Sequence, residues 1–210
     1  MPGTTLGAIA IREALRRSQV PLDLFSEVYM GQVLQAGAGQ APAKQAAMQG
    51  GLPPEIEATT VNKVCASGLK AITLAAHNIQ LGYAVAQVAG GMESMSNVAG
   101  YLKKPEDSNC KEDPVIDGLR LDALTNSSDG RSMGACAEGV ARQMGISRED
   151  QDRYALAAYE RAFRAQQNNV FQEEIIPVSV DAGTAERFDT DSLPPESLFN
   201  RLESLKPAFS

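Results

Sequence analysis

The stretch from Ala58 to Gly91, ATTVNKVCASGLKAITLAAHNIQLGYAVAQVAGG, limits the fold more than any other part of the chain. Its opening, ATTVNKV, is dense in β-branched residues and reads as a strand. From Ala66 to about Leu81 the apolar residues Leu69, Ile72, Ala76 and Ile79 keep helical spacing, and Gly82 ends the run. AVAQVAGG is then a short continuous apolar run, as expected of a strand covered on both faces. Strand, helix and strand in so short a span make a βαβ unit with a parallel pair, and that unit calls for an α/β layered domain.

The flanking segments suit such a domain. From Thr4 to Ser18, Ala8, Ile11, Ala14 and Leu15 share a helical face, and Pro21 closes the run. SEVYMGQVLQ, Ser26 to Gln35, alternates as a strand with Val28, Met30 and Val33 as its apolar members. A Gly-rich loop leads to Pro42, placed where a first helical turn tolerates it, and to an Ala-rich helix ending at Gly50 and Gly51. After Gly91 the chain turns polar and is broken by Gly and Pro, and stretches of that kind tend to be functional insertions. Helical order resumes in GACAEGVARQMG. SRED, from Ser147, is a capping box with Asp150 in place of the usual Glu, and Ala155, Ala158, Tyr159, Ala162 and Phe163 form the stripe behind it. EEIIPVSV is a further expected strand, and RFDTDSLPPESLFNRLESLKPAFS a Pro-containing loop with a short helix.

Composition narrows the function. Hydrophobic residues make up 43% with no tryptophan, enough for a core of Ala, Val, Leu and Ile. A net charge of −7 argues against a nucleic-acid surface. Cys65, Cys110 and Cys136 fall at no metal-ligand or disulfide spacing and read as reduced thiols of an intracellular protein. No apolar run reaches the ~18 residues of a membrane span, and charges interrupt the amphipathic start, so it is not a secretion signal.

Cys65 stands where the first strand of the block gives way to the helix. A helix N-terminus presents unpaired N–H groups and partial positive charge, which favour a thiolate and so a nucleophile. Ser67, Gly68 and their small neighbours leave room for an acyl group, and the Cys65 N–H points where an oxyanion could sit. On periodicity alone the commoner alternative, a cysteine packed as a small hydrophobe, is favoured. The single histidine, His77, lies twelve residues on, roughly 18 Å of helical rise away and about a third of a turn round. It cannot take a proton from Cys65 and reads as a surface residue. The chain therefore holds a candidate nucleophile without its base.

NKVCASGLKAI followed by VAGGMESMSN resembles the thiolase family, most closely its acetyl-CoA acetyltransferases (acetoacetyl-CoA thiolases). YMGQVLQAGAGQAPAKQAA, SMGACAEGVA, ISREDQDRYAL and LKPAF agree in order, so the resemblance covers nearly the whole chain. It implies an α/β, thiolase-like fold: a mainly parallel sheet with helices on both faces, one half of a five-layer αβαβα arrangement, plus a loop-rich insertion. Residues 4–91 and 170–210 would form the N-terminal α/β domain, incomplete at its first strand, and residues 92–169 a loop domain inserted in it.

The resemblance implies that Cys65 takes an acetyl group from acetyl-CoA, which a second acetyl-CoA attacks as a carbanion, or the reverse cleavage of acetoacetyl-CoA by CoA. Leu124 matches an apolar contact to CoA, and Met133 the methionine beside the pantetheine and acyl group. Ser132 stands where many relatives have histidine, and Pro194-Pro195 where relatives often have arginine, so two contacts to CoA depart from the pattern. Coenzyme A enters as a substrate and no cofactor is implied. The residues on which potassium dependence rests in some relatives belong to the second half, outside this sequence, as do the base, one oxyanion hole and the acid/base for the second substrate. The 210 residues alone are then expected to be inactive, and the alternative is a non-catalytic subunit that associates with full-length protein. A ketosynthase-like relative is disfavoured by GMESMS. Homodimers or homotetramers, a mitochondrial location with a cytoplasmic alternative, and no nucleic-acid or membrane partner complete the expectation.

Overall fold

The computed structural model describes residues 1–102, 115–179, 187–199 and 201–209. The chain divides into two compact units, Met1–Leu124 and Thr125–Ser210.

In the first unit, β1 (Phe25–Gly31), β2 (Glu57–Val61) and β3 (Ala86–Gly91) form a parallel sheet in the order β2-β1-β3. Val28 sits level with Ala58 on one side and Val88 on the other. The two strands of the βαβ block are thus parallel, yet they do not pair with each other. Their crossover, α3 (Ser67–Gln80), spans β1, which takes the place between them.

The pleat of β1 sends alternate residues to opposite faces. Val28 and Met30 meet Ile11 of α1 (Gly3–Ser18) and Ala43, Ala46 and Ala47 of α2 (Pro42–Gln49), with Leu52, Ile56 and Met92 completing the core. Tyr29 faces α3, and its hydroxyl accepts a 3.0 Å bond from Asn78 Nδ2. Burial, with the nearby Glu27 carboxylate, raises the Tyr29 pKa. Helices therefore cover both faces of the sheet.

Several expected faces are rotated. On α1 the buried residues are Gly3, Thr4, Gly7, Ala8 and Ile11, whereas Ala14 is exposed. Gly7 is needed there because a Cβ would fall 2.6 Å from Met92 Sδ. On α3 the sheet side is made by Ser67, Ala71 and Ala75, and the expected core residues Leu69 and Ile72 are 69% and 51% exposed. The helical period holds, but the helix lies so close to the sheet that only small side chains fit between. A helix apolar on both sides is one built to be covered twice.

Strand ends shift for hydrogen-bonding reasons. β1 stops at Gly31 because Val33 and Leu34 donate their N–H groups to the Glu93 carboxylate instead of a neighbouring strand. β3 is only half-buried over most of its length, since it forms an edge of the sheet. Beyond it, β4 (Gly100–Tyr101) pairs antiparallel with β5 (Ile116–Asp117), and Asp117 caps α4 (Gly118–Ala123).

The second unit contains α5 (Met133–Met144), α6 (Arg148–Gln167), the antiparallel pair β6 (Val178–Ser179) and β7 (Arg187–Phe188), and α7 (Glu196–Phe199). The capping box of α6 forms as its sequence requires: Ser147 Oγ accepts from Asp150 N at 3.1 Å, and Asp150 Oδ2 from Ser147 N at 3.4 Å. Tyr159 on the expected stripe stacks on Phe163 and, at 3.9 Å between centroids, on Phe199 of α7. Among the described residues of EEIIPVSV only Val178 and Ser179 are strand, because Pro177 cannot donate to a ladder.

Candidate active site

The candidate site is the turn between β2 and α3. After Val61 the strand ends, and Asn62 Oδ1 accepts a 3.0 Å bond from the Val64 N–H. Ser67 Oγ accepts from Lys63 N at 2.8 Å and donates to the Val64 carbonyl at 2.5 Å. Between these clamps Val64 adopts φ +49°, the left-handed region. For a β-branched residue that conformation costs about 1–2 kcal/mol and persists only where its surroundings over-determine it.

Cys65 comes next, and it is exposed. Ala66 occupies the N-cap position with no side-chain cap, so no side chain competes for the first-turn N–H groups of α3. The thiol thus sits one residue outside the positive end of a fourteen-residue helix. Small neighbours were expected to leave room here. Ser67 does something more specific: it is 4% exposed, and its hydroxyl ties the turn together.

Glycines set the depth of this turn. A Cβ on Gly31 would come within 2.5 Å of Gly68 N and of Ser67 C, and one on Gly91 within 3.4 Å of Gly68 Cα. The ends of β1 and β3 therefore brace the backbone at the head of α3. This places Cys65 at the carboxyl ends of the parallel strands, where open α/β sheets bind their ligands. Behind the turn, Glu93 Oε2 holds Val33 N at 2.8 Å and Leu34 N at 3.3 Å, and Asn62 Nδ2 reaches the Val33 carbonyl at 3.5 Å.

The other candidates lie elsewhere. His77 is exposed in the last turn of α3, at the opposite end of the helix from Cys65. Leu124 ends α4 in the first unit, 48% exposed. Met133 begins α5 in the second unit, 50% exposed. Ser132 is the N-cap of α5, its Oγ accepting from Ala135 N at 3.1 Å. Cys136 accepts a weak 3.7 Å contact from Asn126 Nδ2, and Cys110 lies outside the described residues. Among the described residues no group of three His, Cys, Asp or Glu side chains could hold a metal, and no helix is long and apolar enough to cross a membrane.

The Thiolase, N-terminal domain family matches residues 1–210. The chain belongs to the thiolase family. This thiolase chain is 49% identical over 209 residues to a mitochondrial acetyl-CoA acetyltransferase of Gibberella zeae, covering 97% of this chain and 48% of the relative. It is 50% identical over 206 residues to a mitochondrial acetyl-CoA acetyltransferase of Aspergillus fumigatus, with the same coverage. The Acat5 thiolase of Ascaris suum, solved in complex with coenzyme A, superposes with a TM-score of 0.90 at 33% identity, covering all of this chain and 53% of that one. The α/β thiolase fold is thereby shown. The chain spans about half the length of the curated relatives it matches.

Sequence reasoning placed Cys65 where the strand gives way to the helix, as the structure has it, and missed the bonds that hold this turn. The signals were present: Asn at three residues before Cys65 and Ser at two after it are both residues whose side chains bond nearby backbone. A β-branched valine just before the cysteine pointed the other way, toward continued strand. Gln32, just past the end of β1 and 3% exposed, also went unnoticed. Its Oε1 is the one buried side-chain oxygen or nitrogen among the described residues without a hydrogen-bond partner.

Proposed function

We propose that Cys65 is the acyl-accepting nucleophile of an acetyl-CoA acetyltransferase of which this chain supplies the first half. The thiolate attacks the thioester carbon of acetyl-CoA; a sulfur–carbon bond forms, and CoA leaves as a thiol after taking up a proton. A second acetyl-CoA gives a proton from its methyl carbon to a base of the second half, and the resulting carbanion attacks the acetyl-cysteine. A carbon–carbon bond forms, acetoacetyl-CoA departs, and the Cys65 thiolate is regenerated. Thiolytic cleavage is the same sequence in reverse.

One observation supports this assignment above the others: an exposed cysteine at an uncapped helix head, delivered by a strained and doubly clamped turn. Leu124 and Met133, both about half exposed, are proposed as apolar contacts to the CoA arm. Residues 92–169 are proposed as the loop domain, inserted between the 4–91 and 170–210 parts of the α/β domain. Acetyl-CoA and acetoacetyl-CoA are the proposed ligands, homodimers or homotetramers the proposed assembly, and the mitochondrion the proposed location, with the cytoplasm as alternative.

The chain's one histidine, His77, stands in the last turn of α3, at the far end of the helix from Cys65, so the 210-residue chain alone is expected to show no turnover, measured as acetoacetyl-CoA cleavage. The assignment itself is tested by limiting iodoacetamide followed by peptide mapping. Cys65 is expected to label ahead of Cys136 and Cys110, and preferential labelling of either of those overturns it. In a protein of the relatives' full length, Cys65→Ser is expected to abolish condensation.

A second reading, association with full-length subunits without catalysis, draws on the uncovered outer face of α3, where Leu69, Ile72 and Ile79 stand exposed. Co-expression with a full-length relative tests it: a mixed complex on gel filtration supports it, and separate elution counts against it.

A further inference from the structure

We propose that Asn62 is the positioning residue for Cys65, holding Val64 in the left-handed conformation that carries the thiol to the head of α3. The inference rests on the reading of Cys65 as the nucleophile and adds the device that places it. The Val64 N–H is bound by a side chain, and its carbonyl accepts both the Ser67 hydroxyl and, at 3.0 Å, the Ser67 N–H. Asn62 Oδ1 takes the Val64 N–H at 3.0 Å, and Ser67 Oγ donates to the Val64 carbonyl at 2.5 Å. Without such clamps a valine populates the left-handed region about tenfold less than its ordinary conformations. Released, Val64 would return to extended backbone, and the following residue would leave its place beside the first turn of α3.

The two clamps differ in what else they do. Ser67 is buried, so its removal would also disturb packing against the sheet. Asn62 is exposed and fills no core space, which leaves its bonds as its contribution. Its second arm supports the same role. Nδ2 reaches the Val33 carbonyl at 3.5 Å, and Val33 N is itself fixed on the Glu93 carboxylate at 2.8 Å. A single amide thus references the cysteine turn to the loop leaving β1 and, through Glu93, to the segment leaving β3. Acyl transfer needs that constancy, because a misplacement of about 1 Å at a reacting atom can lower a rate ~100-fold.

The experiment measures the second-order rate of Cys65 alkylation by iodoacetamide in the 210-residue chain, alongside a thermal melt of each variant. Asn62→Ala is expected to slow Cys65 about tenfold, the factor by which the left-handed conformer is disfavoured. Asn62→Asp, which keeps the Oδ1 acceptor, is expected to stay within about twofold of the wild type on the same ground. In the double variant Asn62→Ala with Val64→Gly the rate is expected to recover, because glycine takes φ +49° unaided. A merely structural asparagine would not be rescued by removing the strain two residues away. Wild-type rates in Asn62→Ala, or a folded double variant that stays slow, overturn the proposal. Should Asn62→Ala fail to fold, a folded Asn62→Asp that loses tenfold overturns it equally. If Cys65 in the unsubstituted chain is not the fastest cysteine, the nucleophile reading fails first. If it is the fastest and Asn62→Ala changes nothing, only the positioning role fails.

Discussion

The two units of this chain are held by different physics. Every buried hydrophobic side chain among the described residues lies in the first unit, between Ala8 and Met92, around the central strand β1. In the second unit, α5 and α6 contain no buried residue at all. What organises that unit is local: the Ser132 cap, the Ser147–Asp150 box, the Tyr159–Phe199 stack and the Arg148 bond to the Leu202 carbonyl at 2.7 Å. The contrast bears on where chemistry can reside. A turn strained at Val64 needs a rigid surround to keep it strained, and among the described residues only the first unit has a close-packed interior to supply one.

The sharpest way to break this comparison is a core truncation in each unit. Ile11 is 2% exposed and touches the sheet, whereas Phe163 of α6 is 44% exposed. Ile11→Ala is expected to cost about 3 kcal/mol, as burial of a large aliphatic side chain is lost and a cavity remains. Phe163→Ala is expected to cost about 1 kcal/mol, mainly the ring contact to Tyr159. Urea unfolding combined with peptide-resolved hydrogen exchange measures both and assigns each to its unit. Equal losses would mean that the second unit hides a core the burial pattern does not show.

Gly31→Ala comes next. The new methyl would press to 2.5 Å on the backbone at Ser67 and Gly68, which cannot swing aside as a side chain can. A loss of about 2 kcal/mol is expected, within the range for overpacking. Slower Cys65 alkylation should accompany it, because the displaced backbone is the head of α3. A normal melt with normal alkylation would show that the strand end does not brace the turn.

Much of the first unit was legible from residue pattern, and the failures share a cause. Period and β-branching locate β1, α2, β2, α3 and β3 to within a few residues. Periodicity does not say which side of a doubly apolar helix meets the sheet: on α3 the large stripe of Leu69 and Ile72 outweighed Ala71 and Ala75, which are the residues that pack. Small residues win there because Gly31, Gly68 and Gly91 let backbones approach, a fact visible only once three distant segments are together. Pair adjacency failed likewise, since nothing local to the βαβ block announces that β1 will enter between its strands. In the second unit the α6 capping box was readable because its signal is four residues long and self-contained. At the candidate site, the position of Cys65 at the turn was legible, whereas its clamps went unread, because side-chain bonds of Asn62, Ser67 and Glu93 with backbone leave residue-type signals but no periodic trace.

The second unit's reliance on local terms can be probed at that box. Ser147→Ala removes the acceptor for the Asp150 N–H and the hydroxyl donor to the Asp150 carboxylate, the first of the groups that hold that carboxylate below the usual range. The expected cost is about 1 kcal/mol, with faster exchange confined to the first turns of α6. Exchange that rises across β1 as well would show that the effect of the box is not local.

The smallest effect separates the units by pH. Glu13 on α1 accepts from Arg16 at 2.8 and 2.5 Å and from Arg17 at 2.6 Å. Those bonds, Arg16's first, lower its pKa from 4.5 to about 2. A carboxylate depressed in the folded state adds stability that is fully present above its unfolded pKa and is lost as pH falls through the folded one. The Glu13 contribution is therefore intact at neutrality, declines below pH 4.5 and is gone near pH 2. Because its arginine partners are exposed, it is also weakened by salt. Glu13→Gln is expected to lower the melting temperature slightly at pH 7 in low salt. That gap should close both on acidification and on adding about 1 M salt, where the Debye length falls to roughly 3 Å. The Ser147→Ala gap should close on acidification too, as Asp150 protonates, but should resist salt better because half of the box is a neutral hydroxyl bond. If the Glu13→Gln gap instead persisted at high salt, the arginine pairs would not be its source, and α1 would owe its hold on the core to packing alone.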